Sequence, residues 1–205
     1  MSVTVDFHVL ELLCGRLCHE LISPVGAINN GVELLDEDDP EFVKEAMALI
    51  AQSARRAGQR LQFYRFAYGT VGASGSAVDG RELVQGLLDG GKVRCVWPAE
   101  ASALAPPWQR LALNILVLAL ELLPRGGTVT IEPIEHGVAV AAEGDAINIT
   151  DDLKSVLAGE VAAEALSART VHGFFTMRLA EEIGARLALT TSEATRAVLS
   201  ARAGA

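Results

Sequence analysis

The sequence predicts an α+β protein: an antiparallel helical hairpin, forming a dimeric four-helix bundle, is followed by an α/β sandwich with helices on one face of a sheet. Three observations carry this reading. Residues 7–35 and 40–68 bear apolar side chains at helical spacing, residues 69–76 (Gly-Thr-Val-Gly-Ala-Ser-Gly-Ser) read as a flexible connector, and short helical patterns then alternate with strand-like runs. The expected units are therefore 1–70 and 77–205.

Asp6 suits the N-cap of the first helix, expected from Phe7 to Leu35. Leu10, Leu13, Leu17, Leu21, Val25, Ile28, Val32 and Leu35 recur every three or four residues and form one stripe along it. The acidic turn at 36–39 closes that helix, and Pro40 and Glu41 suit the first turn of the next. There Val43, Met47, Ile50, Ala54, Ala57, Leu61, Tyr64 and Tyr68 step by four and three in alternation. A lone hairpin cannot cover both stripes, so two copies are expected to pair. Arg55, Arg56, Arg60 and Arg65 read as a solvated face, open to an acidic partner. Beyond the connector, helices are expected at 80–88, 107–123 and 170–183, with a polar, helical stretch at 151–167. Strands are expected at 93–97, 128–134, 137–142, 186–191 and 195–201.

The chain has 205 residues, half of them hydrophobic, and a formal net charge of −9. Enough apolar sequence is present for real cores, and the charge argues against nucleic acid or an anionic membrane as main partner. The longest apolar run, Leu111 to Leu123, carries Asn114 and Glu121 and is too short to span a bilayer. No basic stretch followed by an apolar core opens the chain, so no signal peptide is expected. Three cysteines, an odd number, read as reduced thiols and point to the cytoplasm. Cys14 falls on the apolar stripe and Cys18 at its edge, with no second ligand pair at zinc-like spacing, so no metal site is expected. His8 sits in the first helical turn without chemical context.

His19 is different. At about 100° per residue it lies about 200° round from Leu17, pointing away from the stripe. Leu12, Gly15, Arg16, Ile22, Ser23 and Gly26 share its face, which is small, flat and partly apolar. Glycine lets a partner backbone approach, and Leu12 and Ile22 offer contact area, so the face suits docking of another protein. Pro24 removes the hydrogen bond to the Glu20 carbonyl and bends the helix just after His19. Ser23 is placed to bond back to the His19 carbonyl. A neutral imidazole is a nucleophile near pH 7, and Glu20 beside it can orient it or take its proton.

His19-Glu-Leu-Ile-Ser-Pro-Val25 resembles the H-box of two-component histidine kinases, His-Glu-x-x-Ser/Thr-Pro-Leu, with Val25 in place of the last Leu. The element order beyond residue 77 resembles the kinase ATP-binding domain, but its nucleotide motifs are eroded. Against Asn-x-x-x-Asn-Ala-x-Lys, the segment 114–121 keeps Asn114 and Ala119 but has Leu118 and Glu121. The Asp-x-Gly-x-Gly box reads Ala142, Gly144, Ala146, and the second glycine loop is reduced to Gly173 followed by Phe174 and Phe175. A Mg²⁺ ligand, a phosphate-facing cation and an adenine-binding carboxylate are missing.

An intact H-box with a degenerate ATPase-like domain resembles the ChpT-type histidine phosphotransferases of alphaproteobacterial phosphorelays. The resemblance implies a cytoplasmic homodimer in which His19 accepts a phosphoryl group from the receiver domain of a hybrid histidine kinase and passes it to response regulators. It implies Glu20 as catalytic partner, Ser23 and Pro24 as H-box support, and Leu12, Gly15, Arg16, Ile22 and Gly26 as the receiver-docking face. It also implies no ATP and no bound cofactor, the receiver bringing the Asp and the Mg²⁺. Two further readings stay open: an active kinase with a divergent ATP site, and a non-catalytic dimeric adaptor for receivers.

Overall fold

The computed structural model describes residues 6–36, 38–69 and 79–204. Helix α1 spans Phe7–Glu33 and α2 spans Pro40–Tyr68. Both begin where an aspartate can cap them: Asp6 accepts from the His8 amide at 2.8 Å and Asp39 from the Glu41 amide at 2.9 Å. A short 3-10 turn, Leu34–Asp36, closes α1. The two helices pack along each other, and Gly31 sets their approach, since a Cβ there would come within 2.6 Å of the Ile50 side chain.

The expected connector lies outside the described residues apart from Gly69, which caps the end of α2. The rest follows as α3 Gly80–Leu88, β1 Val93–Val96, α4 Ala99–Ser102, α5 Pro106–Glu121, β2 Gly127–Ile134 and β3 Gly137–Glu143. Then come α6 Asp151–Leu157, α7 Val171–Glu182, β4 Ala185–Ser192 and β5 Arg196–Ala203. The architecture is α+β, as expected. One sheet of order β1-β2-β3-β5-β4 is antiparallel except for the β1–β2 pair. Alternation on β3 divides the sheet faces: Val138, Val140 and Ala142 enter the main core, while Ala139 and Ala141 join Val198 on the other side.

Two findings add to the expected picture. Phe63, Tyr64 and Ala67 of α2 belong to the same buried core as α5 and the sheet. The hairpin is thus continuous with the C-terminal unit at its open end. The apolar stripes are also only half covered within one chain. Pro24 and Gly31 are buried, Leu13, Leu17 and Leu21 are half-buried, and Val25, Val32, Met47 and Leu61 stay about half exposed. Cys14 and Cys18 are exposed rather than buried, because they lie on the uncovered half of α1.

Candidate functional site

His19 is exposed on α1 and lines a cleft of about 730 Å³ between this helix and the C-terminal unit. Gly15, Arg16 and Glu20 line it from α1, and Glu121, Asn148, Thr150, Asp152, Arg169 and Thr170 line it from the other side. On the expected docking face Gly15, Ile22 and Ser23 are exposed, whereas Leu12 and Gly26 are half-buried. A Cβ added at Gly15 or Gly26 would meet nothing within 4 Å, so packing inside the chain gives no reason for glycine at either position.

Arg16 has a different place from the one the sequence suggested. Its guanidinium pairs with Glu121 of α5, and its side chain is only 16 % exposed. It pins α1 to the C-terminal unit instead of standing open for a partner. Glu20 is also engaged: Arg60 Nη1 lies 2.7 Å from its Oε2, so Arg60 leaves the solvated arginine face expected of it. Ser23 makes no back-bond to the His19 carbonyl among the described residues. His8 ties the start of α1 to the loop before α7, its Nε2 donating to the Leu166 carbonyl at 3.1 Å.

The residues at the positions expected for nucleotide boxes have structural duties. Asn114 is fully buried, and its amide nitrogen donates to the carbonyls of Ala67 and Arg110, each at 2.9 Å. Leu118 and Ala142 are core residues. A Cβ on Gly144 would come within 2.7 Å of the Gly126 carbonyl oxygen, a packing reason for the glycine. Gly173 lets α7 close on Leu153 and Val156 of α6. Phe175 sits edge-on to Tyr68, with ring centroids 5.3 Å apart. Beside them His172 is fully buried, its Nε2 donating to the Asn114 carbonyl at 3.0 Å. Its Nδ1 is then left to accept from the Tyr68 hydroxyl at 3.2 Å. Burial pulls its pKa down to about 3, so the ring is neutral. Among the described residues no helix is long and apolar enough to cross a membrane, and no group of three or more His, Cys, Asp or Glu could hold a metal.

A long helical hairpin presenting an exposed histidine five residues before a buried proline, joined to a five-stranded α+β unit, defines a two-part α+β protein built to present that histidine. Residues 78–195 match the family model of the histidine phosphotransferase C-terminal domain, and the chain belongs to that family. It is 33 % identical over 199 residues to the protein phosphotransferase ChpT of Brucella abortus (strain 2308), covering 92 % of this chain and 94 % of that protein. A solved bacterial phosphotransferase is 32 % identical, with a TM-score of 0.75 and 98 % of each chain covered.

Proposed function

We propose that the chain is a cytoplasmic phosphorelay transferase in which His19 carries the phosphoryl group between receiver-domain aspartates, from a hybrid kinase to response regulators. The observation that carries this is the placement of His19: exposed, over a cleft, on a glycine-bearing face, one turn before Pro24. In the first transfer an unprotonated ring nitrogen attacks the phosphorus of an aspartyl phosphate. The N–P bond forms as the P–O bond breaks, and the aspartate leaves as a carboxylate. The imidazole becomes cationic while its second nitrogen keeps its proton, and the Glu20 carboxylate steadies that proton. The second transfer reverses these changes on another receiver. Positioning and charge neutralisation supply most of the catalysis, and the receiver brings the Mg²⁺.

The half-exposed stripe of Val25, Val32, Met47 and Leu61 supports a homodimer whose four helices form the bundle. Commitment of Asn114 to helix capping, together with Phe175 packed on Tyr68, supports a relay that works without ATP. The direct test is incubation with a labelled phospho-receiver and mapping of the acceptor. His19→Gln should take no acid-labile label while its fold and oligomeric state stay intact. Label on that variant would overturn the assignment.

A further inference from the structure

We propose that Arg60 is a positioning residue for phosphotransfer: it replaces the amide that Pro24 lacks and holds the turn carrying His19 and Glu20. This rests on the reading of His19 as phosphoryl acceptor. In an unbroken helix the carbonyl of Glu20 would accept from the amide of residue 24. Proline has no such amide, and Pro24 is buried, so water is a poor substitute for it.

Arg60 reaches across from α2 and supplies the missing donor. Its Nη1 donates to the Glu20 carbonyl at 2.9 Å and to Glu20 Oε2 at 2.7 Å. The two hydrogens of one guanidinium nitrogen thus serve the backbone and the side chain of the same residue. The first contact satisfies the Glu20 carbonyl that Pro24 leaves without its helical amide. The second holds one carboxylate oxygen, Oε2, of the residue that follows His19. Small displacements of a nucleophile and its partner cost large factors in rate, so a group that fixes both acts on the transfer step rather than on docking. Arg60 itself lies on the other helix, and it touches neither the receiver nor the phosphoryl group in this scheme.

The test uses the full chain and a receiver domain phosphorylated by acetyl phosphate. With Arg60→Met, the transfer rate at saturating receiver should fall about tenfold or more, while the half-saturating receiver concentration moves by less than about twofold. Pro24→Ala restores an amide to the Glu20 carbonyl, so in that background the Arg60→Met loss should shrink to about threefold or less. Arg60→Lys, which keeps one donor, should fall between the two. The same Arg60–Pro24 cycle, measured by urea unfolding, should show coupling whatever the transfer rates. Wild-type rates in Arg60→Met, an unshrunken loss with Pro24→Ala, or full additivity in urea would each overturn the proposal. An unlabelled His19 in the wild-type chain would instead bring down the transfer reading itself, leaving the unfolding cycle to judge the contact.

Discussion

Replacing His172 by glutamine should remove a stability loss that the wild-type protein suffers in mild acid. His172 is completely buried and neutral, with a pKa near 3 against an ordinary 6.5. The native state therefore does not take up the proton that the unfolded chain binds below pH 6.5. Stability is full above that value and falls as the pH drops through the window from 6.5 towards 3. At about 1.36 kcal/mol per pH unit the loss between pH 7 and 5 is about 2 kcal/mol. His172→Gln costs stability at pH 7, because the contacts with Tyr68 and the Asn114 carbonyl are disturbed. That cost should shrink by about 2 kcal/mol at pH 5, where the wild-type penalty has developed and the variant has none. Urea unfolding followed by the fluorescence of Trp97 and Trp108, both in the C-terminal unit, reads this directly. Parallel wild-type and variant stabilities from pH 7 to 5 would refute the neutral, buried imidazole.

Ala54→Glu or Leu61→Glu on the uncovered stripe should raise the dimer dissociation constant at least about a hundredfold, since stranding a charge costs about 3–5 kcal/mol. Sedimentation of a monomeric wild-type protein at micromolar concentration would defeat that expectation. Gly15→Arg or Ile22→Asp should slow transfer about tenfold while shifting stability by no more than about 0.5 kcal/mol, because both positions are exposed. Unchanged transfer in both variants would move the docking face elsewhere. Asn114→Ala should cost about 1–2 kcal/mol by removing one of the two donors to the Ala67 carbonyl, Arg110 keeping the other, as measured by urea unfolding. Titration calorimetry with Mg-ATP should show no heat of binding, and a micromolar dissociation constant would restore the kinase reading.

Local signals in the sequence located the elements well. Asp6 and the Asp39-Pro40 pair set the starts of both long helices, and the strand expected at 137–142 is β3, Gly137–Glu143. The four-residue α4 escaped notice because so short a helix has no periodicity. What could not be read was long-range. Arg60 resembled its exposed neighbours Arg55 and Arg56, and only the fold brings it to Glu20, 40 residues earlier. Arg16 and Glu121 are 105 residues apart, so each was read alone, one as a docking cation and the other as a lost lysine. The apolar stripe was visible, but which half of it covers α2 and which half stays open depends on the hairpin's rotation. His172 carries no local signal in Val171-His-Gly-Phe-Phe, and it acquires its partners only when α7 lies on α5.

The C-terminal unit grips both helices of the hairpin. The last carbonyls of a helix lack partners, and those of α2 receive theirs from α5: Arg110 and Asn114 both donate to Ala67, and Arg110 also donates to Tyr68 at 3.4 Å. Glu121 of the same helix grips Arg16, one turn before His19. One helix therefore fixes the end of α2 and the His19 region of α1 together. The Glu121 carboxylate thereby anchors the histidine-bearing helix and lines the cleft beneath His19. Arg110, Asn114 and Glu121 thus tie the end of α2 and the position of His19 to the core of the C-terminal unit.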